Sequence, residues 1–266
     1  MSEAKEVSFT ARVMAAVRAL ETQRPDALFI DSLAEQLAGA DAIQSALPDV
    51  EEYARQGRPF IAVRTRFFDD FLMSCSHDIR QVVLLGAGLD ARAFRLNWQA
   101  GTHVYEIDHS DVLHYKESVL AGIDSHCVRH SICADLRESD WSQLLLQQGY
   151  QASEPSIWLL EGLLYYLNST EVHNLLITIK DLAIAGSWFA ADVISSAILN
   201  GADNWAKYWQ SSCDYPELFF ANYGWKATAI QPGEEGASFG RFTYQFPPRS
   251  IPDAAHIFFV TACRSD

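Results

Sequence analysis

Basic residues are scarce. Twenty lysines and arginines stand against 34 aspartates and glutamates, a formal net charge of -14. A chain of that sign repels nucleic-acid phosphates, and no clustered basic stripe offsets it, so DNA and RNA are poor candidate substrates. Long apolar runs are also missing. The longest, at Ile157–Leu160 and Ile257–Val260, are strand-sized, far short of the roughly 20 residues that span a bilayer; no membrane partner is expected. Residues 1–10 are polar and charged, without the apolar stretch of a secretory leader. The five cysteines are scattered and form no CxxC pair, as expected of reduced thiols in a cytoplasmic protein. No HExxH is present, and His109 and His114 are five apart, on different helix faces, so no metal is expected. There is no repeat, low-complexity tract or long linker.

What is present is a large core. Apolar residues make up 49% of 266 residues, enough for one decorated α/β domain. Residues 5–21, 31–39 and 49–75 read as helices, the last interrupted at Gly57–Pro59, so residues 1–78 form a helical cap. Strands are predicted at 81–85, 102–107, 125–132, 156–160 and 187–193, with helices at 109–120 and 171–182, the latter capped by Ser169 or Thr170. That alternation implies a mostly parallel sheet with helices on both faces. It assigns 79–195 to a ligand-binding core. Residues 196–238 read as an aromatic-rich insertion, densest over 205–225 from Trp205 to Trp225. Residues 239–266 read as C-terminal strands, with 239–246 and 255–263 paired across a turn holding Pro247, Pro248 and Pro252.

The strongest local feature is the first strand and its turn, Val82-Val-Leu-Leu-Gly86-Ala87-Gly88-Leu89-Asp90-Ala91. Glycines let the backbone approach a ligand closely, and ligands of open α/β sheets sit beyond the carboxyl ends of the strands. The turn also matches G-x-G-x-x-A, so a dinucleotide must be considered. Asp90, close to the next helix N-terminus, opposes a pyrophosphate. It does not oppose S-adenosyl-L-methionine, which carries an ammonium and a sulfonium. Asp108 ends the second strand, 22 positions after Gly86, where a carboxylate accepts from ribose hydroxyls; Glu106, on the same strand face, is the alternative. With Asp135 and Glu161, four successive strand ends present carboxylates that would attract a cationic ligand.

These strings together resemble the leucine carboxyl methyltransferase family, in particular its bacterial O-methyltransferase branch. The resemblance is carried by Arg64-Thr-Arg-Phe-Phe-Asp-Asp-Phe71, Gly86 to Leu96, Tyr105-Glu-Ile-Asp108, Ala134-Asp-Leu-Arg137 and Glu161-Gly-Leu-Leu-Tyr-Tyr-Leu167. It spans roughly residues 8–195. It implies a class I methyltransferase fold, Rossmann-like, and S-adenosyl-L-methionine as the methyl donor. Position by position, Arg64 would bind the methionine carboxylate, the Gly86-Ala87-Gly88 turn would contact the donor, and Asp108 would hold the ribose. Asp135 and Leu136 would flank the adenine, and Glu161 would contact the methionine end. The chain departs from the family at Ala91, where threonine is common. Without the resemblance, Arg64 or Arg66 would be read as a surface partner of Asp69 or Asp70.

A carboxylate acceptor needs no general base, whereas a hydroxyl or enol acceptor needs one or an environment that lowers its pKa. Tyr165, Tyr166 and Asp192 are the candidate catalytic residues, with His173 a weaker one inside a helix. The aromatic insertion and the N-terminal helices are expected to cover a small, partly apolar methyl acceptor. A secondary-metabolite hydroxyl or enol is the first expectation, and a protein C-terminal carboxylate the second. A nicotinamide-dependent oxidoreductase and a non-catalytic nucleoside-binding module are the competing readings.

Overall fold

The computed structural model describes residues 3–201, 207–251 and 253–265. Four helices come first: α1 (Glu3–Thr22), α2 (Ala34–Ala38), α3 (Ala40–Arg55) and α4 (Phe60–Cys75). Gly39, at φ +74, ends α2 and begins α3. Helix α3 thus starts well before the predicted residue 49 and runs through Pro48, which a sequence reading treats as a stop.

The alternating region follows: β1 (Gln81–Leu85), α5 (Arg92–Arg95), β2 (His103–Asp108), α6 (Ser110–Val119), β3 (Val128–Cys133), α7 (Trp141–Gln147), β4 (Ile157–Leu160), α8 (Ser169–Leu182) and β5 (Trp188–Ile194). A 3-10 turn at Leu164–Tyr166 joins β4 to α8. Helix α8 opens at Asn168 rather than Ser169 or Thr170. The Asn168 side chain accepts from the Thr170 and Glu171 N–H groups, and the Glu171 carboxylate accepts from the Asn168 N–H, closing a capping box. Beyond β5 come α9 (Ser196–Asn200), α10 (Pro216–Ala221), β6 (Trp225–Ile230) and β7 (Ile257–Arg264).

The seven strands form one sheet in the order β3-β2-β1-β4-β5-β7-β6. The first five are parallel and β7 runs antiparallel between β5 and β6. The order reverses between β1 and β4, so the carboxyl ends of those strands open a crevice. Because both faces are covered, β1 and β4 are buried along their whole length. One apolar cluster lies between the sheet and the N-terminal helices, around Phe68, Leu72 and Phe259. The other fills the opposite face around Trp141, Trp158 and Phe189.

The C-terminal expectation is corrected. Residues 239–246 are not a strand; the partner of β7 is β6, inside the presumed insertion. Phe242 is buried, but Phe239 has φ 48 and Gly240 φ 68, which an extended strand does not allow. The Thr243 and Tyr244 N–H groups donate instead to the Gly57 carbonyl, at 2.8 and 3.1 Å. Three of the aromatic residues expected to cover an acceptor, Phe220, Tyr223 and Trp225, are core. Phe220 and Trp225 pack on Phe189, with ring centroids 5.0 and 5.4 Å away, and Tyr223 packs on Phe219. Trp205 and Pro252 lie outside the described residues.

Candidate functional site

The β1–α5 turn is shaped by its glycines. Gly86 and Gly88 have φ of 66 and 51, a region other residues rarely adopt. The turn is tied to the end of β2: Gly86 and Ala87 N–H donate to the Ile107 carbonyl at 2.9 and 3.1 Å. Gly88 N–H donates to Asp108 Oδ2 at 2.6 Å, and His109 N–H donates to Asp108 Oδ1 at 2.7 Å. Both Asp108 oxygens thus spend one lone pair on backbone and keep the rest for a ligand. Burial raises the Asp108 pKa, and the two backbone N–H groups counter this only in part. The alternative, Glu106, is excluded: it is fully buried against Lys116 Nζ (2.7 Å) and Arg129.

Helix α5 has only four residues, so its dipole at the turn is small. Asp90 accepts from Arg92 N–H at 2.6 Å and forms an ion pair with the Arg92 guanidinium. Burial pushes the Asp90 pKa up, but Arg92, with Lys116, Arg95 and Arg18 behind it, outweighs burial and brings it to about 2. A carboxylate held below its ordinary pKa and a weak helix end make a poor pyrophosphate seat.

At the other end of the crevice, Arg64 projects from α4 and is 5% exposed. It does not pair with Asp69 or Asp70. Asp69 receives Arg92 and Arg95, and Asp70 receives Arg66. Arg64 Nε donates to Glu161 Oε1 at 3.0 Å, and Nη1 donates to Asp192 Oδ2 at 2.9 Å and to the Tyr165 hydroxyl at 3.2 Å. Burial lowers the Arg64 pKa, but Asp192, Tyr165 and Glu161 together raise it beyond its ordinary value. The Tyr165 hydroxyl donates to Asp192 Oδ2 at 3.3 Å. Burial first, then Asp192, drive its pKa well above the usual range, so the phenol holds its proton.

These groups surround one cavity of about 1120 Å³. Arg64, Gly86, Ala87, Gly88, Asp108, Asp135, Leu136, Glu161, Tyr165 and Tyr166 all line it. Asp135 accepts from Arg137 Nε and N–H, both at 2.9 Å, and the Arg137 hydrogen bond holds its pKa below the ordinary carboxylate value. The four carboxylates predicted at strand ends therefore do converge, but three of them are matched by arginines. Asp192 does not line the cavity. It is 1% exposed, behind Arg64, and its second oxygen accepts from Gly162 N–H at 2.6 Å. His173 is also elsewhere, its Nδ1 3.1 Å from the Tyr223 hydroxyl. Among the described residues, no group of three His, Cys, Asp or Glu side chains is placed to hold a metal, and no helix is long and apolar enough to cross a membrane.

Several residues of this site are not among the candidates named from the sequence, although Ala11 and Arg18 fall in the opening Thr10-Ala-Arg-Val…Arg18-Ala-Leu-Glu21 stretch that resembles the family. Helix α1 roofs the glycine turn through Ala11, Met14 and Arg18, and Arg18 Nη2 donates to the Leu89 carbonyl at 2.6 Å. Residues 207–210 close the far end. Gln210 N–H donates to the Tyr165 carbonyl at 2.7 Å, its side-chain amide to the Tyr166 carbonyl at 2.9 Å, and Trp209 packs 4.8 Å from Tyr165. The aromatic composition flagged this region, but only the fold distinguishes Tyr208, on the cavity, from Phe220, in the core.

Residues 11–180 match the leucine carboxyl methyltransferase family. A protein of Parafrankia sp. named as an S-adenosyl-L-methionine-dependent methyltransferase is 37% identical over 97% of this chain and 87% of its own length. One from Streptomyces avermitilis with the same kind of name is 39% identical over 87% of each chain. Among solved structures, a DUF574 family protein from Streptomyces avermitilis aligns with a TM-score of 0.59 at 10% identity, over 96% of this chain and 97% of that one. A protein from Thermobifida fusca named as a methyltransferase aligns at 0.55 and 17% identity, over 96% and 94%. These two likenesses establish the fold.

Proposed function

The chain belongs to the leucine carboxyl methyltransferase family, and from that membership and the cavity we propose an O-methyltransferase acting on the hydroxyl, enol or carboxylate oxygen of a small molecule. Its methyl donor is S-adenosyl-L-methionine, as the names of its relatives state for them. The observation that carries the reading is the pairing of Arg64 with Glu161, 3.0 Å apart on the cavity wall. A cation and an anion held side by side are complementary to a zwitterion, whose carboxylate and ammonium take the two partners over. Asp108 stands at the other end of the same cavity, with lone pairs free for the two ribose hydroxyls. Asp135 and Leu136 would border the adenine.

The donor supplies an electrophilic methyl group on a sulfonium, and the protein aligns the acceptor oxygen behind it and excludes water. The three candidate catalytic residues divide. Tyr166 lines the cavity and is our candidate for contact with the acceptor. Tyr165 and Asp192 act as positioning residues, because their polar atoms are spent on Arg64 and the Gly162 turn. A cavity of about 1120 Å³ exceeds the roughly 300–1,000 Å³ of a site for one drug-sized ligand. Donor and a small acceptor therefore fit together.

The test is transfer of a labelled methyl group to a panel of small phenols, enols and carboxylic acids, with a peptide ending in a free carboxylate alongside. Alkali releases methanol from a methyl ester and leaves an aryl methyl ether intact, which separates the two oxygen classes. Labelling of the small acceptors is the expected result. Labelling of the peptide alone overturns the small-molecule reading, and labelling only of nitrogen or sulfur nucleophiles added as controls overturns the oxygen reading.

A further inference from the structure

Two oxygens at the Arg64 end of the cavity are short of hydrogen bonds. Thr65 is 1% exposed and lines the cavity, and its hydroxyl has no partner among the described residues. A threonine inside a helix ordinarily turns its hydroxyl back to a carbonyl of the preceding turn; this one does not. Glu161 spends Oε1 on Arg64, while Oε2 makes no hydrogen bond. Arg92 Nη2 stands 2.8 Å from Oε2 as an ion pair, without hydrogen-bond alignment. The same Nη2 contacts the Thr65 carbonyl at 3.4 Å, so Thr65 and Glu161 flank one edge of one guanidinium.

Buried oxygens left unpaired carry a free-energy cost that a ligand can relieve. Glu161 Oε2 only accepts, and Thr65 Oγ1 can accept as well. The group that answers two acceptors beside a carboxylate is a cation with several N–H donors, which describes an ammonium. Arginine forks, by contrast, suit carboxylates. The zwitterion of the donor thus has a separate seat for each charge. We propose that Thr65 Oγ1 and Glu161 Oε2 together receive the α-ammonium of the donor's amino-acid end, and that Thr65 is a donor-specificity residue. This rests on the S-adenosyl-L-methionine reading above. In the free protein Arg92 supplies the cation beside Glu161; on binding, the ammonium adds the aligned donors that Arg92 does not.

Isothermal titration of S-adenosylhomocysteine and of 5′-methylthioadenosine, which lacks the amino-acid end, tests this on the wild type, Thr65→Val and Thr65→Ser. Melting temperatures of the ligand-free proteins are measured in parallel. Thr65→Val should bind S-adenosylhomocysteine about tenfold more weakly, the factor that loss of one charge-assisted hydrogen bond brings. Thr65→Ser should bind like the wild type, and methylthioadenosine should not discriminate among the three. The ligand-free Thr65→Val should melt no lower than the wild type, because the methyl removes an unpaired hydroxyl. Unchanged S-adenosylhomocysteine affinity in Thr65→Val, an equal loss on methylthioadenosine, or a melting temperature several degrees lower would each overturn the proposal. A folded wild type that binds neither nucleoside would overturn the donor reading itself.

Discussion

Arg64 Nη1 and Asp192 Oδ2 meet at 2.9 Å with side chains 6% and 1% exposed, joining α4 to β5 beneath the cavity. The contact also fixes Tyr165 and, through the second Asp192 oxygen, the Gly162 turn that follows Glu161. Breaking a buried pair by removing one partner leaves an uncompensated charge and costs about 3–5 kcal/mol. Asp192→Ala is expected to lose stability on that scale in urea unfolding. Asp192→Asn should stay folded but bind S-adenosylhomocysteine more weakly, because Arg64 keeps Glu161 and Tyr165 but loses its charged partner on β5. If Asp192→Asn instead binds normally and loses only turnover, Asp192 is a base and its positioning role is wrong.

Asp108 organises the other end. Both oxygens already accept one backbone N–H, from Gly88 and His109, so the carboxylate is aimed before any ligand arrives. Asp108→Ala removes the ribose acceptors and loosens the glycine turn. Binding of S-adenosylhomocysteine should fall by about tenfold to a hundredfold, the equivalent of about 1.5–3 kcal/mol for hydrogen bonds to a charged group. Methylthioadenosine should lose as much, since it keeps the ribose. Calorimetry that shows a loss on only one of the two would remove Asp108 from the ribose.

The glycine turn can be separated from glycine conformation in general. A Cβ on Gly86 would stand 3.0 Å from Leu163 Cδ1, at φ +66, on the cavity wall. Gly101 has a similar φ of +78 with nothing within 4 Å. Both alanine variants should lose roughly 1–2 kcal/mol for the left-handed backbone. Only Gly86→Ala should also lose S-adenosylhomocysteine affinity, because it pushes Leu163 toward the ligand. Equal affinities for the two variants in a binding titration would show that the turn does not touch the donor.

These sites were legible to different depths in the sequence. Strand β1, its turn and the acids at four strand ends follow from local pattern, since a parallel strand buried on both faces is continuously apolar and stops at glycine. The Asp69–Arg92–Glu161 chain was not legible. Arg92 sits inside the quoted Gly86–Leu96 string, yet nothing in its spacing says it folds back to α4 and β4. The misplaced C-terminal strand has a similar cause. Residues 239–246 alternate like a strand, but the hydrogen bonds of Thr243 and Tyr244 go to Gly57, nearly two hundred positions away, and the edge of the sheet is taken by β6. Pro48 within α3 shows the converse, a local breaker overridden by packing.

The edge strand β3 and its neighbour β2 together carry a stack of rings. His103 Nδ1 and His130 Nε2 are 2.9 Å apart, their rings lie 5.2 Å centroid to centroid, and Tyr105 stacks on His130 at 4.5 Å. One of the two nitrogens must donate and the other accept in this contact. Burial first, and then the neighbouring His103, lower the His130 pKa, while a Gln148 hydrogen bond raises it in part. A histidine whose folded pKa lies below its unfolded value of about 6.5 stabilises the fold above that pH and loses the contribution as pH falls through it. Urea midpoints are therefore expected to drop between pH 7.5 and 5.5 in the wild type. His130→Phe keeps the stack without the His130 imidazole, and should reduce that drop while changing the pH 7.5 midpoint less. An equal drop in the variant would assign the acid sensitivity to groups other than this pair.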